Sequence, residues 1–503
     1  MKRFKLSLEH LWILAALVGV FVFASTHPIR PHDFWWHMAV GREIVDTGRI
    51  PSVDIYSYTM PGQPYPSYQM FWLMEAALYG TYSLGGAALV VFVHSLVITA
   101  AYWLVACLSK MMTQSWRLAA FGTLFAAALG LNDWNVRPQA VTFLLGALSL
   151  WVIGRYRRQP DRKWLAVFPL GMLVWVNSHG TFPLGLGLIG LWLVDEFWQA
   201  VAVRRARREV PDWRRLYPPA AALGLAVLAC LFNPRGLGIL DYVKTLTGNT
   251  AVQNLVPEWA PPTFGSLGGA LFLGGLLLSA AMLALSPRRP TFFQLVGFLV
   301  FAALGLKTSR GMIWFGLFMG PVLAEHLGAM AEQLGWKPAS ARRATGSAAL
   351  NIIFAVGLLA LAFVALPWFK DALPLPTAKA GLISMETPVD ATRILVDENL
   401  PGPLFHAMSF GSYLIWAAQP EYPVFVDGRI ELFSLDVWRD YLAISNAQAG
   451  WQERLEAYGV QSLMLSTGEQ GALVQAVQAE PGWRLVYQDE AALLFTRAVT
   501  DLP

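Results

Sequence analysis

Apolar runs long enough to cross a bilayer, or nearly so, recur through the first three-quarters of this 503-residue chain. Backbone inside lipid has no water to bond, so runs of this kind become helices. They fall near 11–26, 84–108, 117–131, 138–154, 164–177, 181–203, 217–232, 266–286, 291–306, 311–328 and 348–368. A shorter run, 68–82, reads as an interfacial or re-entrant piece. The pattern predicts an all-α polytopic membrane domain of about eleven transmembrane helices. Composition agrees: charged residues are 14% of the chain and hydrophobic ones 55%, roughly half the charge of a water-soluble domain. The basic excess, 37 against 33 acidic residues, is too small to suggest a nucleic-acid partner. Cys107 and Cys230 lie inside apolar runs, which leaves no disulfide framework and no zinc cluster.

Lysine and arginine gather on the cytoplasmic side of membrane proteins and so test the span count independently. With Lys2, Arg3 and Lys5 inside, alternate loops should be basic. Those loops hold Lys110 and Arg117, Arg155 to Lys163, Arg204 to Arg215, Arg288 and Arg289, then Lys337, Arg342 and Arg343. The opposite loops hold only Arg30, Arg42, Arg49, Arg137, Arg235, Lys244, Lys307 and Arg310. An odd number of crossings follows, with the N-terminus cytoplasmic and the tail extracytoplasmic. The first span reads as an uncleaved anchor, with a cleaved signal peptide as the alternative. Asp195-Glu196 lies toward the cytoplasmic end of its span and should pair with the arginines that follow.

After the membrane domain (1–369, first outer loop 27–67) and a proline-rich linker (370–388), the composition changes. Residues 370–503 carry 8 basic and 17 acidic residues, a net charge of −9. Helical patterns near 389–400, 409–418, 435–445, 450–458 and 468–479 alternate with strand-like runs at 423–427, 460–465, 483–487 and 492–496. Residues 389–503 therefore read as a small soluble extracytoplasmic α/β domain.

Polar residues that do not suit an apolar protein concentrate on the outer side. The first outer loop carries Asp33, His37 and Asp54, with an amphipathic helix over 34–47 ended by Gly48 and Pro51. Its Trp35 and Trp36 suit the lipid headgroup level. Later outer loops supply Asp133 and Arg137, His179, Arg235 and Glu258, and finally Lys307 and Arg310. Ionisable groups held close to lipid are costly and mark functional cavities. Cations such as Arg137, Arg235, Lys307 and Arg310 can hold a phosphate or pyrophosphate, arginine through its two-pronged guanidinium. A carboxylate beside them can deprotonate an acceptor.

Each of these residues also has a plainer reading. Asp33 is either a general base or the N-cap of the helix it precedes. Asp54 is either a second acid or the start of an Asx turn. Asp133 is either a supporting catalytic acid or simply part of a turn-like loop. Asp33 and His37, at i and i+4, are a candidate pair for a divalent cation, Mg or Mn, although interfacial histidine is the alternative. His179 reads as a hydrogen-bonded pore residue or a substrate contact. Glu258 and Arg310 read as substrate contacts or an internal ion pair. Asp427-Gly-Arg429 reads as a turn after a buried strand, or as part of an acceptor cleft.

The run Asp33-Phe-Trp-Trp-His37 through Gly41, Gly48, Pro51, Asp54 and Ser57-Tyr-Thr59 resembles the first-loop signature of bacterial membrane proteins allied to the GT-C glycosyltransferases. Arg137-Pro-Gln139, Asn177-x-His179-Gly180, Asn233-Pro234, Glu258-Trp259 and the Arg310 segment are also similar. In the tail, Phe410 to Trp416 and Val426-Asp-Gly-Arg429 match the outer domain such proteins often carry. That superfamily includes oligosaccharyltransferase catalytic subunits, protein O-mannosyltransferases and the lipid A aminoarabinose transferase. The resemblance implies a polyprenyl-phosphate sugar donor in the membrane lipid, an extracytoplasmic acceptor (glycan, lipid or protein), inversion at the sugar carbon, and Asp33 as the acidic residue of the first outer loop. It also implies residence in the bacterial cytoplasmic (inner) membrane. The chain departs from the pattern in lacking an acidic pair in the first loop and a Trp-Trp-Asp-Tyr-Gly motif in the tail. Metal use and a peptide acceptor therefore stay open. The expected function is sugar transfer, with a non-catalytic scaffold or a lipid-linked-substrate transporter on the same body as the alternative.

Overall fold

The computed structural model describes residues 6–207, 210, 212–241, 257–335 and 347–498. Lys2, Arg3, Lys5, Arg208, Lys244, Lys337, Arg342 and Arg343 of the charge pattern lie outside the described residues, as does much of the fourth outer loop.

A helix stands over each of the eleven apolar runs. In chain order the membrane body comprises α1 (Leu8–Ser25), α2 (Asp33–Thr47), α3 (Tyr68–Thr113), α4 (Trp116–Gly130), α5 (Ala140–Arg158), α6 (Val167–Val176), α7 (Phe182–Arg207), α8 (Tyr217–Cys230), α9 (Leu267–Leu285), α10 (Phe292–Lys307), α11 (Met312–Gln333) and α12 (Ala348–Val364). Among the described residues five helices, α1, α3, α7, α9 and α11, are long and apolar enough to cross a membrane. The chain is a multi-pass membrane protein. The run 68–82 is not separate from the run that follows it. It forms the first arm of α3, which bends where Gly86 takes φ +62°, a conformation open to glycine because it has no Cβ. The bundle core is aromatic, with Tyr102, Phe143, Trp175, Trp192 and Phe315 buried together.

The tail contains α13 (Val389–Asp397), β1 (Leu404–His406), α14 (Met408–Ala417), α15 (Leu435–Ser445), α16 (Trp451–Ala457), β2 (Ser462–Leu465), α17 (Thr467–Ala479), β3 (Trp483–Gln488) and β4 (Leu493–Arg497). Its sheet runs β1-β2-β4-β3, with β1 parallel to β2 and the other pairs antiparallel. Sequence pattern alone missed β1, a three-residue strand too short to show alternation. The run 423–427 is not a strand of this sheet. It lies extended against the first outer loop, where Val424 pairs with Ser57. Val424 N donates to Tyr56 O at 2.9 Å and Tyr58 N to Val424 O at 3.1 Å.

That pairing belongs to a larger seam. Trp36, Val40, Tyr56, Tyr65 and Tyr68 from the membrane half share one hydrophobic core with Phe405, Phe410, Val426 and Leu463 of the tail. The segment 370–388 is also tied down, through a parallel bridge between Ile29 and Ile383. Trp35 and Trp36 are buried rather than set at a headgroup surface. Trp35 meets Tyr413 edge-on at 5.1 Å, and Trp36 packs on Tyr65, Tyr68 and Phe71. Docking of the tail covers the two indoles that a bare amphipathic helix would offer to lipid.

Candidate active site

The site begins with α2. Gly41 lies so close to the first arm of α3 that a Cβ there would fall 2.1 Å from the Glu75 carbonyl oxygen. This approach brings His37, one turn earlier, to Glu75, and His37 Nδ1 lies 2.8 Å from Glu75 Oε1. Glu75 is completely buried, and its Oε2 has no partner. Asp33 is the first residue of α2, not its cap; His32 holds the cap position and makes no side-chain cap bond. The Asp33 carboxylate is turned instead toward Arg137, with Oδ2 3.5 Å from Nε.

Arg137 leads to a chain of charges. Its Nη1 donates to both oxygens of Glu258 at 2.9 Å. Arg310 reaches Glu258 Oε2 from the other side, through Nε at 2.8 Å and Nη2 at 2.6 Å. Four outer loops that are remote in sequence thus meet in Asp33–Arg137–Glu258–Arg310. Burial works to raise the Glu258 carboxyl pKa, but the two guanidinium charges prevail and hold it at about 2. Asp133 lies behind this network with Oδ2 buried and unpartnered. Burial, helped by the Glu258 charge and opposed by Arg310 and Arg137, lifts its pKa to about 7.

A cavity of about 370 Å³ opens over these groups. Asp33, His37, Arg137, His179, Lys307 and Arg310 line it, among aromatic walls that include Trp36, Trp259 and Trp314. Lys307 is exposed and makes no ion pair among the described residues. Thr181 N donates to His179 Nδ1 at 3.2 Å, so a neutral His179 carries its proton on Nε2. Burial pushes the His179 pKa down to about 3, and His37 is depressed for the same reason. Both imidazoles are therefore neutral at physiological pH.

The tail supplies part of the wall through Gly428, Ile430 and Glu431. A Cβ on Gly428 would lie 2.5 Å from Asp33 Oδ1, so a larger residue there would push this carboxylate aside. Glu431 Oε1 accepts from Tyr65 OH and Ser67 Oγ, each at 2.9 Å. Sequence reading missed Glu431 and Glu75. The available signal for Glu75 was a lone acid inside an apolar run. Glu431 stood two residues beyond a motif already singled out.

Asp133 and Glu258 do not themselves line the cavity, and two further expected site residues stand elsewhere. Asp54 does not line the cavity. It is buried, accepts from Tyr56 N at 3.3 Å as in an Asx turn and from Ser57 N at 3.0 Å, and pairs with Arg429 of the tail. Arg235 bonds Gly238 O through Nε at 3.3 Å and Nη2 at 3.2 Å, bracing its own turn away from the cavity. Nor do the donors around Asp33 and His37 fit a divalent cation: an arginine faces Asp33, and Glu75 takes His37 Nδ1. Among the described residues no three His, Cys, Asp or Glu side chains form a metal-holding group.

No protein-family model matches this sequence, and no curated protein matches it. The fold is nevertheless shared with solved GT-C glycosyltransferases. The archaeal oligosaccharyltransferase AglB from Archaeoglobus fulgidus, in complex with an inhibitory peptide and a dolichol-phosphate, superposes with a TM-score of 0.55 at 12% identity, covering 98% of this chain and 75% of its own. ArnT from Cupriavidus metallidurans, bound to undecaprenyl phosphate, superposes with a TM-score of 0.54 at 13% identity, covering 97% of this chain and 98% of its own. At such identities the likeness is one of fold.

Proposed function

We propose that this chain is a membrane glycosyltransferase that moves a sugar from a polyprenyl-phosphate donor to an extracytoplasmic acceptor, with inversion at the sugar carbon. The observation that carries the reading is one cavity holding the Asp33 carboxylate, the cations Arg137, Lys307 and Arg310, and aromatic walls. Two proteins of the same fold, solved with dolichol-phosphate and undecaprenyl phosphate, support a lipid-phosphate donor. Orientation follows the arginine pattern, with the N-terminus in the cytoplasm of a bacterial inner membrane and the cavity facing outward.

In this scheme Asp33 accepts the proton of an acceptor hydroxyl or amide. The freed oxygen or nitrogen attacks the sugar carbon from the side opposite the phosphate. The bond from sugar to phosphate oxygen breaks, and its electron pair leaves with the phosphate. Lys307, which has no acidic partner among the described residues, and Arg310 stabilise that developing charge without a strong acid. Arg137 touches both Asp33 and Glu258 and thereby orients the base. No step runs through a metal, because the donors around Asp33 do not fit one.

The test uses full-length protein in proteoliposomes with a panel of undecaprenyl-phosphate sugars, following release of undecaprenyl phosphate. Asp33→Asn lowers turnover by about 10²–10⁴-fold while leaving the melting temperature and undecaprenyl-phosphate binding close to wild type. Undiminished turnover in that variant would exclude Asp33 as the base.

A further inference from the structure

We infer that a second cavity, at the end of the bundle opposite the candidate active site, binds the phosphate headgroup and upper acyl chain of one anionic phospholipid. This cavity of about 240 Å³ is bounded by the far ends of the same helices that build the first. Helix α5 starts beside Gln139 in the first cavity and ends on Arg157 and Arg158 in the second. Helix α10 runs from Phe293 in the second to Lys307 in the first, and α11 runs from Trp314 in the first to Glu325 in the second. The 19 residues of α5 span about 28 Å at 1.5 Å per residue, close to a hydrocarbon thickness of about 30 Å. The two cavities therefore face opposite leaflets.

The second cavity has the two parts a phospholipid needs. Leu108, Met111, Ile153 and Phe318 form an apolar lining, and Arg157, Arg158 and Arg288 bring guanidinium groups to it. The nearby acids are already occupied. Asp195 and Glu196 pair with Arg157, while the side chains of Arg204, Arg205, Arg207 and Arg208, the first arginines that follow them, lie outside the described residues. One oxygen of Glu325 takes Arg288 Nη2 at 3.0 Å, and the other takes Gln294 Nε2 at 2.7 Å. Arg158 is exposed and makes no ion pair among the described residues, and Arg288 commits a single nitrogen. A guanidinium carries five N–H donors, so uncommitted donors remain beside an apolar hollow. Basic pockets of this kind between transmembrane helices suit anionic headgroups.

The inference concerns a different site from the proposed chemistry and stands whether or not sugar is transferred. Native mass spectrometry of the full-length protein in detergent, titrated with phosphatidylglycerol or phosphatidylcholine, tests it. One phosphatidylglycerol binds about tenfold more tightly than phosphatidylcholine. That preference disappears in the Arg158→Gln, Arg288→Gln pair. It also disappears in Met111→Trp, which fills the hollow from its apolar lining without changing its charge, and it persists in Asp33→Asn. Equal binding of the two lipids would overturn the assignment, as would a preference that survives both the arginine and tryptophan changes. Loss of the preference in Asp33→Asn would move the lipid to the first cavity, and displacement by millimolar inorganic phosphate would reduce the ligand to a free anion. Either result overturns the inference.

Discussion

Two acid–arginine clusters lie near each other in this molecule and serve opposite ends. In the first, Arg429 is fully buried between Asp427 and Asp54, donates to the Tyr68 hydroxyl, and lies over the rings of Tyr56, Tyr65 and Tyr68 at 5.4–6.0 Å. In the second, Arg137, Glu258 and Asp33 keep 15%, 31% and 25% of their side chains exposed, and Arg137 and Asp33 line a cavity. The residue types are the same; water access is not. A closed cluster has satisfied its charges with its own partners and can only hold parts together, here the first outer loop and the tail. An open one can exchange a partner for a ligand. The closed cluster also positions Gly428 against Asp33, so the structural cluster sets the geometry of the reactive one.

The contrast is broken most sharply by removing the central cation of each cluster. Arg429→Ala strands two buried carboxylates and should cost about 3–5 kcal/mol, read as a large fall in melting temperature with the tail becoming sensitive to protease. A loss below about 1 kcal/mol would show that the buried cluster is not what fastens the tail. Arg137→Gln should behave in the reverse way. Its stability should fall by about 1–3 kcal/mol, less than for Arg429→Ala because Arg310 still pairs with Glu258, while undecaprenyl-phosphate binding weakens about tenfold through loss of a charge-assisted contact. Intact binding in that variant would assign Arg137 to support alone.

The last effect, confined to the pH dependence of stability, belongs to Asp133. Its folded pKa of about 7 lies above the ordinary value of 3.8, so between those limits the folded protein keeps a proton that the unfolded chain has lost. Its contribution to stability therefore declines as pH rises toward 7 and then levels off. Asp133→Asn should flatten the pH dependence of the melting temperature between pH 4 and 7. An unchanged slope would mean that the Asp133 carboxyl does not titrate there.

Much of the architecture could be read without coordinates. Helix formation in lipid is a local demand, met by hydrogen bonds within each segment, so apolar length alone located all eleven helical runs. The helices of the tail followed from periodicity in the same way. The choice of Asp33, His37, Arg137, His179, Glu258, Lys307 and Arg310 also came from a one-dimensional rule, that charge beside lipid needs a reason. Tertiary structure decided which of these groups share a hollow. Asp54 and Asp33 lie in the same outer loop, yet one is sealed under the tail and the other faces the cavity. That outcome depended on Arg429, 375 positions along the chain from Asp54, and Glu431 entered the cavity wall by the same docking. Burial and charge pairing are properties of neighbours in space, and a string of residues does not specify how far each long side chain reaches or which partner arrives first.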